Sequence, residues 1–248
     1  MTGWEIAFAA AVFLTAGSVK GTLGIGLPTI AISLMSQVLD PRLAVTLTIG
    51  PLLLTNLHQA WRSGFVLRTL RRYAPYWVTL AITITLSAIF AQGLSARALL
   101  IIMGGGVVLF TAAQLLVHPP ALPRHLDRVA QLAAGATSGL MGGVTAIWGP
   151  PILMYLIAAR VGKEEFVRAT GVLLSIGAIP LAVTYAAQGL LVGDRAVVSF
   201  ALAVPAVLGF MLGERLRRHL KAERFHTAVL IMFLVLGLNI LRRGLSGQ

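Results

Sequence analysis

The chain has 248 residues, of which 57% are hydrophobic and 11% charged, and its mean hydropathy is +0.87. This composition excludes an ordinary soluble domain and predicts a protein that crosses a membrane several times. The formal net charge of +12 comes from basic residues in short gaps between apolar runs, without the interleaved aromatic residues that a nucleic-acid-binding surface needs. The chain has no cysteine, which excludes disulfides and thiolate metal ligands.

Apolar runs of membrane-spanning length follow one another along the chain. Six of them are predicted to be ordinary spanning helices, at about 43–61, 74–92, 98–117, 166–187, 196–213 and 225–241. Two others, at about 4–36 and 129–159, are too long for one upright span, and glycine and proline interrupt both. Because proline suits the first turn of a helix, each long run is predicted to be a broken helix or a returning hairpin.

The two interruptions divide the chain into two similar halves. The first reads GSVKGTLGIGLPT from Gly17 to Thr29, and the second reads GATSGLMGGVTAIWGPP from Gly135 to Pro151. They can be superposed with Gly17 on Gly135, Gly21 on Gly139, Gly24 on Gly142, and Pro28 near Pro150. We therefore predict an N-terminal transmembrane repeat over 1–120 and a C-terminal transmembrane repeat over 121–248.

The distribution of basic residues favours returning hairpins. If all eight apolar runs crossed once, the Lys and Arg residues would divide almost evenly between the two sides. If both long runs return to their own side, fourteen lie inside and five outside, with Lys20 in the membrane. Each half then has one hairpin and three spans, so the halves are inverted. The predicted fold class is an all-α polytopic membrane protein built from two inverted repeats.

Lys20 is the unambiguous charge deep within an apolar run. Burying it costs several kcal/mol unless water, a partner or a ligand compensates. An anionic substrate is the obvious compensator, because the membrane runs contain hardly any acidic residue. The alternative is that the ammonium group reaches the interface along its aliphatic stem.

The glycines around both interruptions allow two interpretations. They could mark unwound backbone whose N–H groups face a ligand, or they could be small residues that let helices pack closely. The prolines favour the first interpretation, because a helix that restarts directs its unpaired N–H groups and its positive dipole end toward the interruption. The candidate substrate-binding residues are Lys20, Gly21, Gly24, Gly26, Pro28, Thr29, Asn56, His58, Gly139, Gly142, Gly143, Thr145, Trp148, Gly149 and Pro150.

His58 could carry a proton, although a single interfacial histidine is more often structural. The histidines have no metal-ligand spacing, so we expect no metal. We expect no organic cofactor either. An intramembrane hydrolase that uses Ser138 with His58 is an alternative, but it lacks an accompanying acid. A purely structural membrane subunit is another, and it leaves the matched interruptions unexplained.

At these two stretches the sequence resembles the TauE/SafE sulfite exporter family, also called the toluene sulfonate uptake permease family. G-S-V-K-G-T-L-G-I-G-L-P and G-A-T-S-G-L-M-G-G-V-T-A-I-W-G-P-P carry the resemblance, and the apolar runs match over nearly the whole chain. One departure is Gly24-Ile25-Gly26, where many members have three glycines. The resemblance implies a multi-pass carrier in the bacterial inner membrane for sulfite, sulfonates or sulfoacetate-like anions, and no enzyme activity.

The expected partners are the lipid bilayer and a small anionic substrate, with no nucleic acid. Small-residue faces such as Gly104-Gly105-Gly106 could pack within the chain or between two copies in a homodimer. A carrier for another small solute, either a carboxylate or a neutral metabolite, with a structural Lys20, remains the alternative function.

Overall fold

The computed structural model describes residues 2–62, 64, 67–116, 120–217 and 222–246. Within these ranges the chain forms α-helices, one short 3-10 helix at Arg124–Leu126, and no strand. The α-helices are α1 (Gly3–Leu23), α2 (Leu27–Met35), α3 (Pro41–Arg62), α4 (Leu67–Arg72), α5 (Ala74–Ala91), α6 (Ala96–Leu116), α7 (Asp127–Thr145), α8 (Gly149–Ala158), α9 (Lys163–Ala187), α10 (Gly193–Leu216) and α11 (Ala222–Ser246). The all-helical prediction is confirmed for this part of the chain.

Six helices are long and apolar enough to cross a membrane, so the chain is a multi-pass membrane protein. They are α1, α5, α6, the part of α9 from Glu164, α10, and the part of α11 from Thr227. The run at about 43–61 was predicted to be an ordinary span, but α3 is not among the six. Its threonines, together with Asn56, His58 and Gln59, lower its hydropathy, and most of its side chains are buried by neighbouring helices.

Both predicted interruptions are present as breaks between a long helix and a short one. The first break is Gly24–Gly26, between α1 and α2, and the second is Ala146–Trp148, between α7 and α8. Gly24 (φ +83°) and Ala146 (φ +55°) both end their helices in the left-handed conformation. Gly24 donates its N–H to the Lys20 carbonyl, and Ala146 donates to the Gly142 carbonyl.

Aligning the two helix ends gives a pairing of the two segments that differs from the glycine superposition. In this alignment Gly24 is matched to Ala146. In the glycine superposition it was matched to Gly142, one helical turn earlier in the chain. By the same register Lys20 corresponds to Gly142, and Gly17 to Gly139. The glycine pattern alone could not fix this register, because spacings of three and four residues occur between the glycines of both stretches.

Close glycine contacts join the two halves. In α1 and α10, Gly209 lies against the Leu14 carbonyl and Gly213 against the Ser18 carbonyl, so the two helices run parallel. In α5 and α7, Gly135, Gly139 and Gly143 meet successive turns of α5 in the same manner, and these helices are also parallel. The first helix of each half therefore packs on a helix of the other half.

α6 and α11, the last long helix of each half, run antiparallel. Gly104 of α6 lies against Leu241, and Gly244 of α11 lies against Ile101. A Cβ atom at Gly104 would lie 2.5 Å from the Leu241 backbone nitrogen. This glycine therefore packs within the chain.

A proline interrupts the hydrogen bonds of α3, and a serine of α10 compensates. Pro51 has no N–H, so the Leu47 carbonyl lacks its usual helical donor. The Ser199 hydroxyl lies 3.1 Å from that carbonyl oxygen and 3.2 Å from the Thr46 carbonyl oxygen, and it accepts the Gly50 N–H at 2.9 Å. Ser199 therefore fixes the middle of α3 to α10.

We expect Ser199→Ala to lower the free energy of unfolding by about 2 kcal/mol, because it leaves buried backbone groups without a partner. The matched control is Thr15→Ala, since the Thr15 hydroxyl bonds to its own helix and is exposed. Thermal unfolding in detergent measures both variants. Equal stability of Ser199→Ala and Thr15→Ala would contradict the assigned role.

Candidate functional site

The two breaks meet at a buried cavity formed by both halves of the chain. Its free volume is about 30 Å³, which is room for about two water molecules. The lining residues come from α1, α2, α3, α6, α8, α9 and both breaks. They are Lys20, Ile25, Gly26, Pro28, Thr29, Leu52, Asn56, Phe110, Ala146, Ile147, Trp148, Gly149, Pro150 and Leu174.

Lys20 projects from the last turn of α1 into this region and is 1% exposed. Its Nζ donates to the Thr55 hydroxyl at 2.9 Å and to the Asn56 side-chain oxygen, and it lies 6.0 Å from the centre of the Phe210 ring. Both acceptors are neutral. Among the described residues, the ion pairs that form do not include Lys20, so this side-chain nitrogen is buried without a counter-charge.

Thr55 and Asn56 are themselves held in place. The Thr55 hydroxyl donates to the Pro51 carbonyl at 2.7 Å, which leaves its lone pairs free to accept from Lys20. The Asn56 amide donates to the Leu174 carbonyl of α9 at 3.0 Å, and the Asn56 carbonyl accepts from Ser175 at 2.8 Å. The Lys20 ammonium group is thus positioned by α3, and α3 is fixed in turn to α9 of the other half.

Two helix N-termini open onto the same cavity. In α2 the first intrahelical bond is donated by Ile30 to Gly26, so the N–H groups of Leu27 and Thr29 precede the hydrogen-bonded ladder. In α8 the prolines at 150 and 151 have no N–H, which leaves Gly149 as the donor among its first three residues. No side chain caps either helix by a hydrogen bond in the described structure. Each positive dipole end is therefore open toward the cavity.

Trp148 is the N-cap residue of α8 and is 2% exposed. Its ring packs on Gly142 of α7 and Gly177 of α9, where a Cβ atom would lie 3.0 Å and 2.6 Å from tryptophan atoms. Its indole N–H has no hydrogen-bond partner within the part of the chain that the structure describes. In the alignment of the two helix ends, Trp148 and Gly142 are the positions matched to Gly26 and Lys20.

Eight candidate residues line the cavity, and the other seven lie elsewhere. The eight are Lys20, Gly26, Pro28, Thr29, Asn56, Trp148, Gly149 and Pro150. Gly21 packs on Phe210 of α10, and Gly139 and Gly143 pack on α5. Gly142 lies behind Trp148, while Gly24 faces the neighbouring cavity beside Gln59. These five glycines therefore lie outside the lining of the central cavity.

Thr145 and His58 complete the seven. The Thr145 hydroxyl accepts the Ile147 N–H at 3.1 Å and so shapes the second break. His58 lies 3.8 Å from the Glu214 carboxylate, and its ring meets Phe210 edge-on at 5.4 Å. Ser138, the nucleophile of the hydrolase alternative, accepts a hydrogen bond from the Tyr76 hydroxyl at 2.7 Å.

Sequence reasoning missed several residues of the site. Thr55 was not a candidate, although it bonds directly to Lys20, and Phe110, Leu52 and Leu174 also line the cavity. The available signal for Thr55 was its position directly before Asn56, which was a candidate. The apolar lining residues have no sequence feature that distinguishes them from other apolar residues in membrane helices. The described residues contain no group of three His, Cys, Asp or Glu side chains that could hold a metal ion.

Comparison with known proteins places the chain in a family. The Sulfite exporter TauE/SafE family matches residues 9–240, a range that includes both breaks and every residue of the central cavity. No curated protein and no solved structure matched the chain. Because the family match covers nearly the whole sequence, the chain belongs to the Sulfite exporter TauE/SafE family of membrane transporters.

Proposed function

We propose that this chain carries a small organosulfur anion, such as sulfite, a sulfonate or a sulfoacetate-like anion, across the bacterial inner membrane. The observation that carries the proposal is the buried Lys20 ammonium group, which bonds to neutral oxygens beside two open helix N-termini. Three sources of positive potential therefore converge on one cavity. An anion that enters it supplies the missing negative charge.

The Lys20 ammonium group would bind the anion directly, and the first N–H groups of α2 and α8 would donate to its oxygens. The unpartnered indole N–H of Trp148 is an additional donor near the cavity. A sulfite or sulfonate group has three oxygen acceptors, which suits donors that arrive from several directions. The present cavity of about 30 Å³ is too small for such an anion with its hydration water, so binding requires the helices to separate.

The proposed mechanism is alternating access between two inverted halves, 1–120 and 121–248. The antiparallel packing of α6 on α11 supports inversion, because these helices occupy the same place in the order of their halves. Further support comes from two larger cavities. One, of about 380 Å³, adjoins the C-terminal ends of α3 and α10, and the other, of about 240 Å³, adjoins the N-terminal ends of α3 and α6.

The test is flux through the purified protein in liposomes. We expect saturable counterflow of radiolabelled sulfite at alkaline pH, with competition by methanesulfonate or sulfoacetate and no flux in protein-free liposomes. Transport of acetate without any sulfur anion would favour the alternative carboxylate carrier. Transport of a neutral solute without any anion would overturn the proposed role of Lys20.

A further inference from the structure

A second cavity, called here the vestibule, adjoins the central one. Its volume is about 380 Å³, and Gln59, Arg62, Thr170, Glu214 and Arg217 form its polar lining. Ile25, in the first break, lines both the vestibule and the central cavity. An anion that moved from the vestibule to Lys20 would therefore pass this side chain.

The charge in the vestibule favours anions. Arg62 ends α3 and Arg217 follows α10, and both side chains are exposed. Within the described part of the chain, neither guanidinium group forms an ion pair with a carboxylate, and the Glu214 carboxylate lies 3.8 Å from the His58 Nε2. The described lining of the vestibule thus holds two guanidinium groups without a carboxylate partner and one carboxylate, which gives it a net positive charge.

A buried hydroxyl adds a polar donor to the same cavity. Thr170 of α9 is 4% exposed, and its hydroxyl has no hydrogen-bond partner among the residues described. A buried hydroxyl without a partner is costly, so a ligand or water is expected to satisfy it. Arginine guanidinium groups and a hydroxyl are the donors that bind the oxygens of a sulfonate or phosphate group.

We propose that the vestibule is a second anion-binding site, where Arg62, Arg217 and Thr170 receive the anion before it passes Ile25 to the central cavity. This inference rests on the proposed function, because the same anion occupies both sites in turn. The ligand is a small anion with a sulfonate-like or phosphate-like group. A lipid phosphate shares this chemistry, so the test includes an arm that separates the two.

The absence of cysteine from the chain allows a direct test with single introduced cysteines. Val167→Cys places a thiol in the vestibule, at a position that is 37% exposed. Gly162→Cys is the matched control, because it precedes the same helix and a Cβ atom there meets nothing within 4 Å. The measurement is the rate of modification by an anionic and by a cationic methanethiosulfonate reagent.

We expect the anionic reagent to modify Val167→Cys faster than the cationic reagent does. The double change Arg62→Gln and Arg217→Gln should lower the ratio of anionic to cationic rates there by about threefold to fivefold. The same double change should lower the ratio of anionic to cationic rates at position 162 by less than about half as much as at position 167. An unchanged ratio at position 167 would overturn the proposal, and an equal fall at both positions would show only a general surface potential.

Protection by a ligand completes the test. Methanesulfonate, which does not react with the reagents, should slow modification at position 167 several-fold relative to gluconate at equal ionic strength. If rates depend instead on the fraction of phosphatidylglycerol in the liposomes, the guanidinium groups bind lipid phosphate and the proposal fails. These measurements need no transport, so failure of sulfite flux and failure of the vestibule are distinguishable.

Discussion

Lys20→Met is expected to reduce sulfite transport at least about 30-fold, because Lys20 is the one charged side chain among the described residues that line the central cavity. The substituted side chain has a similar length and fills the same space between α1 and α3. It removes a buried cation that has only neutral acceptors, and removal of such a charge is often tolerated by the fold. We therefore expect the loss to affect binding and transport rather than folding.

The control for this prediction is Arg195→Gln, which removes an exposed cation at the start of α10. It should leave transport within about twofold of the native rate, because surface charges contribute little. Thermal unfolding with and without methanesulfonate checks binding independently of flux. Native KM and turnover in Lys20→Met would show that the lysine is structural.

Gly17→Val is expected to lower the free energy of unfolding by about 3 kcal/mol or more, because α1 and α10 touch through their backbones at this position. A Cβ atom on Gly17 would overlap the carbonyl oxygen of Ala206 and lie 3.1 Å from the Phe210 nitrogen. Backbone atoms cannot move aside as a flexible side chain can. The two helices would have to separate along their length.

Gly105→Val is the matched control, since a Cβ atom on Gly105 meets nothing within 4 Å in the described structure. Both variants replace a glycine within a long helix, and they differ in what surrounds it. Unfolding in detergent, followed by tryptophan fluorescence, should separate them clearly. If the two variants unfold at the same temperature, the close backbone contact between α1 and α10 is not present in the protein.

Much of the fold could be predicted from local sequence, because apolar length and proline placement act within a single segment. Both breaks were found in this way, since Pro28 and Pro150 lie in the first turn of helices that follow glycine-rich segments. The short helix α4 was missed, because it lies in the basic gap between the apolar runs at about 43–61 and 74–92. The burial of α3 among other helices was also missed. Its polar residues indicate such burial only when the positions of the neighbouring helices are known.

The site was harder to predict because it depends on which side of each helix faces the cavity. Gly26 and Gly149 line it, whereas Gly139 and Gly143, from the same stretch as Gly149, pack on α5. A glycine has no side chain whose chemistry would distinguish these two uses. The contact between Thr55 and Lys20 joins residues 35 positions apart, so the sequence around Lys20 does not predict it, and neither does the sequence around Thr55.

The central claim is that an anion binds between Lys20 and the N-termini of α2 and α8. Crystals of the protein grown with selenite, the heavier analogue of sulfite, test it most directly through the anomalous scattering of selenium. The account predicts one strong peak within hydrogen-bond distance of the Lys20 Nζ, between Gly26 and Gly149. A peak elsewhere in the membrane region, or none there at concentrations that block sulfite flux, would contradict it.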